Sequence, residues 1–443
     1  MLTHWETMPI NNRLLDNGIR LITEPIDGAL VSAIGFWFLT GSIDDPPDAL
    51  GISHLVEHLM FKGTRSFCGA DLSSFFDCTG GYYNASTDHE TVCLYGVVPA
   101  FAFEKAVEIL LSMATEALIR PQDVESEREV VVSEILAALD DPEEQASDSA
   151  LAAFFPGQLI SLPVGGTLAT VRSITPEKAL SWYQTRFAAG QLLVSVAGYL
   201  DEEKLASMLC PPSVPKDRSA LRLQRPPAEV RPAGNPRWSS ERIHYRAPGH
   251  QMQIHAAIPA DPAPAQDNWY AWQIVNTILG GTPGSRLFKK LREERALCYT
   301  VYSALHRERS GAFWYAYLSV PPRRSEEACL YLLDLLHEFS VLGPTEEEFR
   351  NAGTRLIGEL IVSFQDADHR MRRIARQWLS GYAVMDQFQI SDVIRGVDPL
   401  LVHQLAASLS DTASLALAFH GPALPASTRR RLCLKHKKYK PLQ

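Results

Sequence analysis

The sequence has no uninterrupted apolar run of about 18 residues, which is the length that a membrane-spanning helix needs. Its N-terminus also lacks the basic start and apolar stretch of a signal peptide, so we expect neither export nor membrane spanning. Positive charge is scarce as well, since 42 Lys and Arg face 51 Asp and Glu and give a formal net charge of -9. This balance argues against a general nucleic-acid binder, because phosphate contacts need clustered Lys and Arg.

Cysteine is also sparse in this chain. The seven cysteines are odd in number, scattered, and never spaced as CxxC. Such usage favours a reducing compartment with free thiols over a disulfide-stabilised secreted fold. We therefore expect a bacterial cytoplasmic protein, with the mitochondrial matrix as the alternative.

The composition is that of a globular protein with substantial cores. Of 443 residues, 46% are hydrophobic and 21% are charged. A chain of this length rarely builds a single core, so two large lobes are expected. Residues 211–236 hold seven prolines with little periodicity, which is typical of an extended linker. The predicted domains are 1–210, the linker 211–236, 237–428, and a basic tail at 429–443.

Strand and helix patterns recur in the same order in the two halves. Residues 30–41 read as an apolar strand and residues 51–63 have helical spacing, while residues 253–260 and 267–281 repeat that order. A further strand is predicted at 311–320. We infer an ancient duplication and an α+β fold of two homologous lobes, with helices packed on a mostly antiparallel sheet.

The segment HLVEH places two histidines four residues apart on the first predicted helix. His54 and His58 are then separated by about 40° and share one face, and Glu57 lies about 60° to the other side of His54. Two imidazoles and a carboxylate suit a catalytic Zn²⁺ site that leaves one position for water. A histidine pair on a helix is more often ordinary surface or core composition, so this spacing alone leaves both interpretations open.

A second, independent feature favours the metal site. Glu127 and Glu134 are seven residues apart in VESEREVVVSEIL and hence lie on one helical face. Glu134 can supply the third ligand, and Glu127 can accept the free N–H of a ligating imidazole. Each glutamate taken separately would be read as a solvated helix residue.

Four segments carry a resemblance to a known family. LDNGIRLITEP, GISHLVEHLMFKGT, GGYYNASTDHETVCLYG and EREVVVSEI resemble, in order and spacing, the M16 (inverzincin) metallopeptidases, and most of all the short subgroup that includes the β-subunit of mitochondrial processing peptidase. The resemblance implies the duplicated metallohydrolase fold that this peptidase shares with LuxS-like proteins. It also implies one zinc per chain held by His54, His58 and Glu134, with Glu57 as general base and Glu127 as a supporting acid.

The resemblance extends to the expected substrate contacts. GGYYNAST would form an edge strand where Asn84 and Ala85 bind the backbone of an extended peptide by strand addition. In the second half, Arg292 and Tyr299 would stabilise the oxyanion of the tetrahedral intermediate. The chain departs from the family pattern at Ala296, where relatives commonly have Gly, and at Thr282-Pro283.

Short members of this family commonly pair into a closed chamber. The resemblance therefore implies a homodimer, or a heterodimer with another M16 subunit, in which the partner's second half completes each zinc site. The resulting hypothesis is a zinc metalloendopeptidase, in which zinc activates a water for attack on a peptide substrate and Glu57 takes its proton. Possible roles are presequence removal, peptide clearance and maturation of a peptide natural product.

Two other classes of function are open. M16-like chains also serve as non-catalytic or partner-dependent subunits, although such chains typically lose residues of the HxxEH motif. Nucleic-acid or membrane-surface binding fits only the tail RRRLCLKHKKYK, which is expected to be a flexible, solvated end or a partner contact.

Overall fold

The computed structural model describes residues 10–210, 237–260, 266–308 and 311–438, so the predicted linker 211–236 lies outside the described residues. The described residues form two compact units. The first is drawn from Met1–Ile135, Pro163–Arg231 and Ile361–Gln387, and the second from Leu136–Leu162, Pro232–Leu360 and Phe388–Gln443. Each unit thus includes a segment from the other half of the sequence. The domain boundaries given above stay a prediction.

Twelve strands are described, six in each sheet. They are β1 (Asn11–Leu14), β2 (Arg20–Pro25), β3 (Val31–Phe38), β4 (Tyr82–Thr87), β5 (Val92–Pro99), β6 (Leu192–Gly198), β7 (Arg242–Arg246), β8 (Met252–Ala260), β9 (Thr300–Glu308), β10 (Gly311–Val320), β11 (Ala416–Gly421) and β12 (Lys435–Lys438).

The described α-helices are α1 (Ile52–Met60), α2 (Gly69–Thr79), α3 (Phe103–Glu116), α4 (Pro121–Asp140), α5 (Pro142–Phe154), α6 (Leu168–Ser173), α7 (Pro176–Trp182), α8 (Glu202–Met208), α9 (Gln266–Leu279), α10 (Ser325–Leu342), α11 (Glu346–Ser363), α12 (Ala367–Leu379), α13 (Gln387–Arg395), α14 (Pro399–Ser408) and α15 (Ala426–Arg431). Tyr183–Ala188 and Phe288–Glu294 are π-helical, and short 3-10 turns occupy Ser42–Asp44, Ala100–Ala102, Leu159–Ser161 and Pro322–Arg324. Among the residues described, no helix is both long and apolar enough to cross a membrane.

The first sheet has the order β1-β2-β6-β3-β5-β4 and is covered on both faces. On one face, Ile34 and Phe36 of β3 join a core with the apolar sides of α1 and α3. On the other face, Ala33 and Trp37 pack against α12 through residues that include Met371. Burial of both faces explains why β3 reads as a nearly continuous apolar run.

Helix α12 is fastened to the first sheet by charge as well as by apolar contact. Glu24, at the end of β2, is buried and pairs with Arg370 at 3.2 Å and with Arg373 at 2.6 Å. Gly35 allows a close approach here, because a Cβ at that position would stand 2.6 Å from the sulfur of Met371.

The second sheet has the order β12-β7-β11-β8-β10-β9 and a comparable arrangement. One face carries the core formed with α9, α10 and α14. The other face is covered by α5, where Ser149 Oγ lies 2.8 Å from His420 Nδ1 and the Phe154 ring stacks on Trp238 with centroids 5.4 Å apart.

The two sheets share one topology over five strands. β2, β6, β3, β5 and β4 occupy the same places as β7, β11, β8, β10 and β9, with one parallel pair followed by antiparallel pairs in both. This order supports the inferred duplication and confirms an α+β fold with mostly antiparallel sheets.

The prediction that the basic tail is flexible is wrong for the part of the tail that the structure describes. Residues 426–431 form α15, and β12 pairs in parallel with β7 from Lys435 to Lys438. Leu432 and Leu434 are buried in the second core, which holds this basic segment against the sheet.

Candidate metal centre

Helix α1 carries the two histidines and Glu57 on a side other than its apolar face, which packs into the core. Leu55 and Leu59 are fully buried in the first core. Asp45 holds the start of the helix, because its carboxylate accepts hydrogen bonds from the amide of Gly51 at 2.8 Å and from the hydroxyl of Ser53 at 2.6 Å. The amide of Ser53 also donates to Asp45 at 3.3 Å, so this carboxylate satisfies a backbone donor of the first turn, in which the histidine face begins.

Helix α4 brings a carboxylate to the two imidazoles. His54 Nε2 and His58 Nε2 lie 3.3 Å apart, and Glu134 Oε2 lies 3.7 Å from the first and 3.5 Å from the second. Among the described residues, these three side chains are the group whose donor atoms converge closely enough to hold one metal ion. Ligands about 2.1 Å from a tetrahedral Zn²⁺ stand about 3.4 Å from one another, so the spacing fits that ion.

Glu127 orients one of the imidazoles. Its Oε2 lies 3.1 Å from His58 Nδ1, so the ring N–H can donate to the carboxylate while His58 Nε2 keeps its lone pair for a metal. The other oxygen, Oε1, lies 2.5 Å from Lys62 Nζ. Glu127 is 6% exposed, and these two partners compensate the burial of its charge.

The electrostatics of His54 also suit a ligand. Burial, with a smaller effect from neighbouring His58, lowers the pKa of His54 to about 4. The ring is therefore neutral near pH 7 and its nitrogens can act as donors to a metal. Its Nδ1 is buried without a hydrogen-bond partner among the described residues. Gly165 lies next to this atom, since a Cβ at that position would stand 3.6 Å from it.

Glu57 lies beside the histidines in a protected position. It is 8% exposed, and it accepts a hydrogen bond from the hydroxyl of Thr87 in β4. Burial raises the pKa of Glu57, whereas the bond from Thr87 lowers it by a smaller amount. A carboxylate whose pKa is raised toward neutrality is a better proton acceptor and donor for catalysis near pH 7.

The predicted substrate strand is β4, and it is the edge of the first sheet. Asn84 is exposed, and its Oδ1 accepts a hydrogen bond from the amide of Ala85 at 2.9 Å. The amide of Asp88, just after β4, points the other way and donates to the carbonyl of Thr91, on the β5 side. Because successive amides of a strand point in opposite directions, the amides of Tyr83, Ala85 and Thr87 face the open edge. This edge can accept an extended peptide.

The last two predicted residues lie in the second unit, next to each other. The guanidinium carbon of Arg292 stands 5.0 Å from the ring centroid of Tyr299 and 4.7 Å from that of Phe288. Tyr299 is 79% exposed, so its hydroxyl is available to a ligand. Between them, Ala296 adopts a left-handed backbone with φ +48°, the conformation that favours the Gly expected there.

Three contributors to the first-unit site were not predicted. Lys62 pairs with Glu127, Thr87 bonds Glu57, and Asp45 accepts hydrogen bonds from Gly51 and Ser53 at the start of α1. Strand alternation offered a signal for Thr87, because its side chain shares a face with Tyr83 and Ala85. The spacing of His58 and Lys62, four residues apart, similarly placed both on one side of the helix region.

Two family models match the chain. The model described as Insulinase (Peptidase family M16) matches residues 20–167, and the model described as Peptidase M16 inactive domain matches residues 173–356. The first match contains all the residues of the metal centre, and the second contains Arg292 and Tyr299.

Curated relatives and solved structures agree with those models. An uncharacterized zinc protease of Mycobacterium leprae is 30% identical over 83% of this chain and 81% of its own length, and one of Bacillus subtilis is 24% identical over 92% and 97%. The crystal structure of a peptidase M16 inactive domain from Pseudomonas fluorescens superposes with a TM-score of 0.81 at 16% identity, covering 94% of this chain and 99% of that one. A protease from Helicobacter pylori gives 0.81 at 14% identity with the same coverage. The two-lobed fold is shared with both structures.

Proposed function

Because this chain belongs to peptidase family M16, whose members use zinc, we propose that it is a zinc metalloendopeptidase that hydrolyses peptides or unfolded polypeptide segments. The observation that carries the proposal is the convergence of donor atoms from His54, His58 and Glu134 within 3.3 to 3.7 Å, with Glu57 beside them. The first three side chains would hold the zinc, and Glu57 would accept and donate protons during the reaction.

The chain's own residues divide the chemistry between them. A zinc ion held by these residues would act as a Lewis acid and would make a water nucleophilic near neutral pH. Glu57 takes the proton of the attacking water and later gives it to the leaving amine, a role that suits its raised pKa. Glu127 keeps the ring of His58 in the orientation and tautomer that a metal ligand needs.

Substrate would bind as an added strand along β4. The open edge offers main-chain groups near Asn84 and Ala85, so affinity would be spread along the peptide backbone and would not depend on one side chain. Arg292 and Tyr299 would donate to the substrate carbonyl and to the oxyanion that develops from it. We place this reaction in a dimeric chamber built from two copies of this chain or from this chain and another M16 subunit.

Two measurements on the purified chain test the proposal. We expect about one zinc per chain and cleavage of a mixed peptide library, with cleavage lost in Glu57→Gln while zinc is retained. Glu134→Gln should lose zinc as well as activity. Glu129→Gln, an exposed change on the same helix α4, is the matched control and should keep both. Absence of zinc from the wild type, or cleavage by Glu57→Gln at the wild-type rate, would overturn the proposal.

A second candidate is a non-catalytic or partner-dependent subunit of a heterodimeric peptide-processing complex. Support for this candidate comes from residues 173–356, which match a model described as an inactive domain. Full zinc occupancy without cleavage by the chain alone would select this candidate. A location in the bacterial cytoplasm stays a prediction.

A further inference from the structure

The side chain of Thr87 connects the edge strand to the metal helix. Thr87 is the last residue of β4, and its hydroxyl donates a hydrogen bond to Glu57 Oε2 on α1. Exposure alternates along β4, so Tyr83, Ala85 and Thr87 share the half-buried face while their neighbours point to solvent. The hydroxyl is thereby directed at Glu57 by the strand itself.

The geometry points to Thr87 as a positioning residue for Glu57, an inference that rests on the proposed function. A glutamate side chain has three rotatable bonds, and its free carboxylate samples several orientations. A hydrogen bond to Oε2 holds one oxygen in place and leaves Oε1 in a defined position to exchange protons. Threonine is suited to this task, since its branched Cβ restricts χ1 and β4 fixes its backbone.

The same residue also borders the substrate. The amide of Thr87 faces the open edge together with those of Tyr83 and Ala85, because the intervening amides point toward β5. A peptide added to this edge would run along the main chain of the residue whose side chain holds the base. Thr87 would therefore set Glu57 in register with the bound peptide. The main chain would contribute to binding and the hydroxyl to the rate.

This division predicts a change in kcat without a change in KM. Thr87→Val removes the hydroxyl at nearly constant shape. Because a positioned general base typically contributes about 10²–10⁴-fold, loss of the contact that positions it should cost part of that, about 10–100-fold. On a quenched fluorogenic peptide that the wild type cleaves, we expect kcat to fall within that range, with KM and zinc content per chain unchanged. Thr87→Ser restores the donor and should recover most of kcat. Thr115→Val is the matched control, because its hydroxyl bonds a helix carbonyl in the same unit.

The inference is overturned if Thr87→Val keeps wild-type kcat, if Thr87→Ser is as slow as Thr87→Val, or if the loss appears in zinc content or KM. Should Thr87→Val fail to fold, the comparison of Thr87→Ala with Thr87→Ser, each with its thermal midpoint, decides the same question. A wild type that cleaves nothing, or a Glu57→Gln variant as active as the wild type, refutes the proposed function and with it the base that Thr87 would position. A fall in kcat alone in Thr87→Val, beside a wild type whose cleavage depends on Glu57, supports both the inference and the proposed function.

Discussion

Replacement of Glu24 by Gln should loosen α12 from the first sheet. Gln keeps the shape of the side chain but leaves the guanidinium groups of Arg370 and Arg373, both largely buried, without their carboxylate. Removing one partner of a buried ion pair costs about 3–5 kcal/mol. Arg370 also donates to the carbonyl of Phe364 at 2.6 Å, so part of its demand stays met and we expect the lower end, about 3 kcal/mol.

Thermal unfolding followed by calorimetry measures this effect. In a unit of about 150–250 residues each kcal/mol moves the midpoint by about 2–4 °C, so the transition of the first unit should fall by about 6–12 °C. Glu108→Gln is the matched control, because it breaks an exposed pair with Lys105 in the same unit that is worth at most about 1 kcal/mol. If Glu24→Gln unfolds within about 2 °C of the wild type, the reasoning is refuted, and apolar contact alone holds α12.

Three further predictions concern the second unit and the metal. Ala296→Gly should raise the unfolding midpoint by relieving a left-handed backbone that costs an alanine about 1 kcal/mol, as a calorimetric scan would reveal. Burial lowers the pKa of His244 to about 4, of His255 to about 3 and of His420 to about 4. The unfolded chain then binds protons that the folded chain cannot, so stability should fall as pH drops from about 6.5 to 4. His255→Met should flatten that pH profile and the exposed His250→Met should not. Chelation of zinc should abolish cleavage, and added Zn²⁺ should restore it.

Local patterns were enough to predict which side chains of α1 and α4 share a helical face. The four-residue step from His54 to His58 and the seven-residue step from Glu127 to Glu134 are properties of single helices, and the structure brings these side chains together. The apolar runs at 30–41 and 253–260 likewise predicted strands, which the structure places at Val31–Phe38 and Met252–Ala260, since burial on both faces leaves a continuous hydrophobic signal.

The remaining features depend on contacts between distant parts of the chain. The pairing of Lys62 with Glu127 joins α4 to the segment after α1, and the apolar face of α12 shows that a partner exists without showing which sheet it covers. The basic segment was predicted to be flexible because its charge is visible in the sequence. Its anchoring leucines, Leu432 and Leu434, are only two residues among many apolar ones.

The exchange of helices between the halves has a consequence for biosynthesis. The first sheet stays bare on one face until Ala367–Leu379 has left the ribosome, by which time most of the second half has been made. During that interval Trp37 and its neighbours present an apolar surface that invites aggregation or chaperone binding. We therefore expect a gene encoding only the first 210 residues to yield an insoluble fragment, because that fragment lacks the helix that covers Trp37.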